Sequence, residues 1–272
     1  MRVSAAADIL LPGETLAGEY RVVEHVHRTR RFDIYRVRRD EDEGEYAAKT
    51  LNPHPEDGID GWWALFREGR TLCSLSHPNL VRGIHFFIRL RPVLIMEYLR
   101  GRSLDEHLHQ DGPLEVEEAA ALSLDIASAL AYLHDHRLLH LDLAPDNVVC
   151  QEGRGKLIDL SICRKPGPGV PERGKRAFMA PEQVKGVNVT PATDIWGLGA
   201  LLFDCLTGRP PFDPCGGCRF EQLEHHAAPV GRFREVPEEL DEFVYRCLEP
   251  DPTERPSLKD ACRTLDHVLH VS

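Results

Sequence analysis

No stretch of this sequence is apolar for long enough to span a bilayer. The opening MRVSAAADILLPGE carries one arginine and an apolar run of three, too short for a secretion signal, so residues 1–17 read as a loose tail. An excess of positive charge is missing as well. The formal charge of -11 argues against a general binder of nucleic acid or anionic membrane, because phosphate-rich surfaces repel it. The eight cysteines, at 73, 150, 163, 205, 215, 218, 247 and 262, lack the spacing of a disulfide framework and fit thiols in a reducing cytoplasm. One CxxC, Cys215 and Cys218, is followed by His225 and His226, and four such ligands could hold zinc. The preferred reading is plainer: a CGGC turn leading into an exposed helix, FEQLEHH. No internal repeat or low-complexity linker interrupts the chain.

What is there is an ordinary globular composition, 42% hydrophobic and 28% charged over 272 residues, enough for one large domain or two lobes. The first third alternates as strands do: YRVVEHVH, FDIYRVRR and EYAAKTL, then strands at 83–89 and 93–98. The acidic run at 40–44 makes a turn. Between these strands WWALFREGRTLCSL carries Trp63, Phe66 and Leu72 at helical spacing. After Gly101 the pattern turns helical, with SLDEHLH and then VEEAAALSLDIASALAYLHDH, whose Leu122, Ile126, Ala129, Leu130 and Leu133 share one face. Proline and glycine crowd 166–174 into a loop, and helices return at WGLGALLFDCLTG, LDEFVYRCL and LKDACRTLDHVLH. Sheet first and helices after predict an α+β chain of two unequal lobes, 18–98 and 99–272.

Seven short signals recur in one order along this frame. Lys49 follows Ala47-Ala48 near a strand end, and nineteen residues later Glu68 sits on a helix, followed by SHPNLV. HLDLAPDN at 140–147 then places Asp142 and Asn147 on one loop, and Asp159 in LIDLS closes a short strand. MAPE (179–182), DIWGLG (194–199) and DPTERPS (251–257) complete the series. Each is weak alone, and a strand-end lysine is usually only a solvated side chain. Together the chain resembles a bacterial, eukaryotic-like protein kinase of the serine/threonine type over residues 18–270. The resemblance implies the bilobal kinase fold, with ATP and Mg²⁺ as cofactors. It makes Lys49, paired with Glu68, the holder of the α- and β-phosphates, Asp142 the base for the substrate hydroxyl, and Asn147 and Asp159 the magnesium ligands. Ala47, Met96 and Val149, with the backbone of Glu97 to Leu99, enclose and hydrogen-bond the adenine on this reading. Glu182 pairs with Arg255, and Asp194 braces the catalytic loop. Small-molecule kinases of related fold lack MAPE and the late ERP arginine, so a protein substrate is favoured.

Four departures from the family pattern follow. No glycine lies between Gly18 and Gly44, so the segment HVHRTRRFDIY stands in place of a glycine-rich lid. Either Arg28, Arg30 and Arg31 bind the phosphates through guanidinium groups, or this is a basic exposed hairpin. Leu141 replaces the arginine that docks a phosphorylated activation loop, and no hydroxyl residue occurs from Ile162 through Glu182, so loop phosphorylation is not expected to be the switch. Ser161 replaces a glycine after Asp159-Leu160, which restricts the hinge. Ala144 stands where the family has a lysine touching the transferred phosphate, while Lys175 occupies a threonine position; the missing cation is resupplied from there, or Lys175 faces solvent. The rival to catalysis is a pseudokinase, a binding module that scaffolds a partner. The chain is expected to be cytoplasmic, with no membrane segment or nucleic-acid partner, and to receive its signal from a separate regulatory protein.

Overall fold

The computed structural model describes residues 9–42, 44–53, 58–88, 91–212 and 219–271. The chain divides into two compact units. One runs to His77 and resumes over Val81–Arg100; the other takes Pro78–Leu80 and the chain from Gly101. The three-residue exchange has a local cause: the Asn79 side-chain amide donates to the Gly155 carbonyl at 3.0 Å, and Leu157 N–H donates to the Asn79 carbonyl at 2.8 Å. The smaller unit is mainly sheet and the larger mainly helix, the α+β class read from the sequence.

In the smaller unit, β1 (Thr15–Leu16), β2 (Tyr20–Arg28), β3 (Phe32–Arg39), β4 (Glu45–Leu51), β5 (Gly83–Phe87) and β6 (Val93–Glu97) form one antiparallel sheet in the order β1-β2-β3-β4-β6-β5. Period-two alternation puts Tyr20, Val22, Tyr35, Val37, Ala48, Val93 and Ile95 into one apolar cluster. Helix α1 spans Gly58–Leu72. Its buried face is Gly61, Ala64, Leu65, Glu68, Gly69 and Leu72, so that of Trp63, Phe66 and Leu72, read at helical spacing, Leu72 alone is buried. Trp63 is 49% exposed, because the small residues at 61, 64 and 69 let the helix approach the sheet on that side: a Cβ on Gly69 would come within 2.3 Å of the Phe86 ring.

The larger unit is built around α3 (Val116–Asp135), packed against α5 (Pro191–Thr207) and α7 (Leu258–Val271). Leu122, Ile126, Ala129, Leu130 and Leu133 of α3 are all buried. Helix α5 is apolar on every side and buried over most of its length, as a central helix must be. Helix α2 (Leu104–Asp111) starts at a capping box, Ser103 Oγ accepting from Glu106 N–H and Glu106 returning a carboxylate oxygen to Ser103 N–H, both at 3.1 Å. Strands β7 (Arg102–Ser103), β8 (Val148–Gln151) and β9 (Arg154–Leu157) make a small sheet that carries the loop ahead of it. Further on, β10 (Gly167–Pro168) pairs with β11 (Asn188–Val189), α4 (Pro181–Lys185) lies between them, and α6 (Glu238–Cys247) precedes α7.

The expected exposed helix FEQLEHH is instead a single 3-10 turn, Glu221–Leu223, with Phe220 and Gln222 buried. Gln222 is drawn inward because its amide donates to the carbonyls of Arg176 and Met179, at 2.7 and 3.0 Å. Cys215 and Cys218 lie outside the described residues, among which no group of three or more His, Cys, Asp or Glu is gathered for a metal. Among the described residues no helix is long and apolar enough to cross a membrane.

Candidate active site

Lys49 and Glu68 meet inside the smaller unit. Because Ala48 points into the sheet's core cluster, Lys49 emerges on the opposite face of β4. There its ammonium donates to Glu68 Oε1 at 2.9 Å, with both side chains almost fully buried. Two charges leave water together only where each offsets the other's desolvation, so removing either strands its partner. The Phe32 ring lies 4.8 Å from the Lys49 ammonium and adds a cation–π contact. Sequence reasoning missed Phe32, which read only as the first residue of a strand.

The glycine-free lid is the hairpin between β2 and β3. Thr29 closes it: its Oγ1 accepts from Arg31 N–H at 3.3 Å and Phe32 N–H at 2.9 Å, while Thr29 N–H donates to the Phe32 carbonyl at 2.8 Å. The turn therefore uses internally the amides that a glycine-rich loop would present to phosphates. Arg28 is engaged as well. It holds the fully buried Asp33 in a two-point pair, at 2.6 and 2.9 Å, with His25 3.0 Å from the same carboxylate. Of the three arginines proposed for phosphate, Arg28 is thus a strut of the hairpin, and Arg30 is the exposed one.

Of the adenine candidates, Ala47 on β4 faces Met96 on β6 directly in register. Glu97, at the end of β6, is tied to Arg82 twice, its N–H donating to the Arg82 carbonyl at 3.0 Å and its carboxylate accepting the Arg82 N–H at 2.9 Å; Leu99 follows it in the connection after β6. Val149 belongs to the larger unit, on β8, where it pairs with Lys156.

Asp142, Asn147 and Asp159 come together in the larger unit. Asp194, buried at the start of α5, accepts backbone N–H from His140 at 2.9 Å and Leu141 at 2.8 Å and meets His134 at 2.8 Å, fixing the loop from below. His140 takes the Asp142 N–H on Nδ1 at 3.2 Å, so its Nε2 is the atom facing the Ile158 carbonyl. The Asn147 amide donates to both the carbonyl and Oδ2 of Asp142, at 2.7 and 3.1 Å. Asp142 Oδ1 is left buried with no hydrogen-bond partner. Burial raises the Asp142 pKa from its ordinary value and the charge of Asp159 adds to this, against the opposing pull of His140 and Lys175. Asp159 sits at φ 61°, a left-handed conformation held by its own side chain, which accepts Ser161 N–H at 2.9 Å. The donor set fits magnesium: with both amide hydrogens of Asn147 on Asp142, its oxygen remains, beside the carboxylate of Asp159. Hard oxygen ligands in small number suit an ion that completes its shell with water and phosphate.

Lys175 is half-buried, and its first partner is not Asp142. Its ammonium forms an ion pair with Asp146, within the same loop. Burial lowers its pKa, and Asp142 is the first of the charges that pull it back up, so the two feel one another. Ala144 is wholly buried and supplies no cation.

Leu141, in place of a docking arginine, is buried at φ 68° in an apolar cluster with Leu139, Val189 and Ile162. The segment that follows Asp159 is fastened by the β10–β11 pair and by Gln183, whose amide donates to the Leu141 carbonyl at 2.8 Å and the Arg173 carbonyl at 3.2 Å. Gln183 carried no signal in the sequence beyond following MAPE. Glu182 and Arg255 form a buried two-point pair at 2.6 and 2.9 Å, with the guanidinium 5.0 Å over Trp196.

The sequence profile of the family described as protein kinase domain matches residues 31–266. The chain is 33% identical to the serine/threonine-protein kinase PkaA of Streptomyces coelicolor over 92% of its own length and 50% of that protein's. It is 32% identical to human mitogen-activated protein kinase kinase kinase 7 over 76% of its length and 36% of that protein's. It is 29% identical to the probable serine/threonine-protein kinase PknB of Lactococcus lactis over 88% and 40%. The chain thus spans half or less of the length of these relatives. With the profile covering most of its residues, the chain belongs to the protein kinase family, as a catalytic domain of the bacterial serine/threonine type.

Proposed function

We propose that this domain transfers the γ-phosphoryl group of ATP to serine or threonine hydroxyls of a protein substrate. Bound ATP and Mg²⁺ supply the phosphoryl group and neutralise charge that develops as it moves. Lys49, held by Glu68, orients the α- and β-phosphates. Asn147 and Asp159 hold the metal through oxygen. Asp142 receives the substrate hydroxyl at Oδ1 and takes its proton, while its other oxygen stays on Asn147. The observation that carries the reading is that buried, unpartnered Oδ1, in a loop whose backbone Asp194 fixes. The free thiols support a cytoplasmic location, and a separate regulatory protein is part of the same proposal.

A second reading, a scaffold that regulates a partner without turnover, is favoured by the lid, whose amides Thr29 already engages. Radiolabelled ATP turnover separates the two. Asp142→Asn is expected to keep Mg²⁺-ATP affinity and lose turnover by orders of magnitude, whereas Asp159→Ala loses Mg²⁺-dependent ATP binding. Equal loss of nucleotide affinity in both variants contradicts the assignment, and an unmodified protein without turnover leaves the scaffold.

A further inference from the structure

A phenyl ring stands on the approach to the Lys49 ammonium. On β3 the side chains of Tyr35 and Val37 enter the core cluster, so Phe32 and Ile34 lie on the other face, where Ile34 is paired directly with Lys49 of β4. The Phe32 ring centre is 4.8 Å from the ammonium. Phe32 is 6% exposed and the Lys49 side chain 5%. A charge-assisted bond from an ammonium to a phosphate oxygen spans about 2.8 Å. An oxygen at that distance on the ring side stands about 2 Å from the ring centre, where van der Waals contact needs about 3.5 Å. Glu68 takes another side of the ammonium. No phosphate reaches Lys49 past the ring as it stands.

The backbone that carries the ring is fastened. Phe32 N–H donates to Thr29 Oγ1 at 2.9 Å, and the Phe32 carbonyl accepts Thr29 N–H at 2.8 Å. On one side of it Asn52 N–H donates to the Arg31 carbonyl at 2.8 Å, and on the other buried Asp33 is held by Arg28. The strand is therefore not free to swing, and the ring clears the ammonium by turning about its own side-chain bonds. Turning brings a buried aromatic into water and gives up the contact with the cation, so the cleared form is the minor one. A ligand that binds only the cleared form has its affinity reduced by that form's population, whereas a ligand that leaves Lys49 alone does not.

We infer that Phe32 is a selectivity residue, whose ring covers Lys49 and holds down the affinity for phosphate-bearing nucleotides without changing that for the bare nucleoside. The inference rests on the assignment of Lys49 to the phosphates. It also gives the glycine-free hairpin a consequence beyond its occupied amides: a residue without a side chain at 32 leaves the ammonium open.

Calorimetric titration of the full chain with Mg²⁺-ATP and, separately, with adenosine tests it, on the unchanged protein, Phe32→Ala and Phe32→Leu. The leucine variant keeps an apolar side chain on the strand in case the alanine variant does not fold. Both are expected to bind ATP about ten- to hundredfold more tightly, leucine gaining less than alanine, with adenosine affinity within about twofold of the unchanged protein. If ATP is held more tightly than adenosine by the same margin in all three proteins, phosphates reach Lys49 regardless of the ring; the inference is overturned and the lysine keeps its role. If ATP is held no more tightly than adenosine in any of them, or neither ligand binds, Lys49 loses the phosphates and the inference falls with that assignment.

Discussion

Replacing Asp204 by asparagine is expected to stabilise the protein, and to do so more the higher the pH. Asp204 lies on α5, 7% exposed, and its side chain has no hydrogen-bond or ion-pair partner among the described residues. Burial, with a smaller push from the charge of Asp105, moves its pKa from 3.8 to about 7, against the pull of His109. The folded chain therefore holds this proton more tightly than the unfolded chain. Between those two values the native state binds more protons, so unfolding free energy falls as pH rises and levels off above about 7. At about 1.4 kcal/mol per tenfold, the full displacement costs the folded state on the order of 4 kcal/mol at about pH 8, and roughly 1–2 kcal/mol at about pH 5. Asparagine cannot ionise and abolishes the difference, about 3 kcal/mol. For a chain of this size that corresponds to roughly 5–10 °C more gain in Tm at the higher pH than at the lower. Circular-dichroism melts of both proteins at the two pH values provide the measurement. All other titrating groups are shared, so they cancel between the variants. An equal change in Tm at both pH values, of either sign, refutes the reasoning.

Other outcomes follow from the lid and the catalytic loop. Arg28→Ser is expected to destabilise by about 2 kcal/mol in denaturant unfolding, because it removes the two-point partner of buried Asp33, beside which His25 and Arg91 remain. Arg30→Ser with Arg31→Ser is expected to raise the KM for ATP, less so at high salt, and an unchanged KM at low salt returns the hairpin to a structural role. Lys175→Ala is expected to lower kcat on the order of 10²-fold with little change in ATP affinity, part of it recovered by adding Ala144→Lys; a normal kcat confines Lys175 to holding Asp146. Phosphatase treatment of purified protein is expected to leave its rate unchanged, since nothing from Ile162 through Glu182 can carry a phosphate on a hydroxyl, and a large loss points to a switch at another residue.

The helices and strands were legible because their periods are regular: α3 buries the five residues its spacing named. The buried face of α1 is hard to read from the sequence for a physical reason. Close approach to the sheet selects the small residues, and a helix stripe of glycine and alanine is faint in a hydrophobic pattern. Asp142, Asn147 and Asp159 announced themselves by spacing, whereas Phe32, Thr29 and Gln183 did not. Their roles are made by backbone atoms and ring faces met across the fold, and nothing in a neighbouring residue encodes those. Lys175 shows the same limit: Asp146 as the partner of its ammonium is visible only in three dimensions.

Gln183 and the cluster around Leu141 have a consequence for how such an enzyme behaves in time. A kinase activated by a phosphate on its own loop can switch on its neighbours, and that feedback lets a population lock into one state after the stimulus has gone. Here the loop is fastened by an amide and by apolar side chains, neither of which another kinase molecule can write or a phosphatase erase. The fastening is present as soon as the chain folds. Phosphate written on this loop by a neighbouring copy therefore cannot serve as such a record.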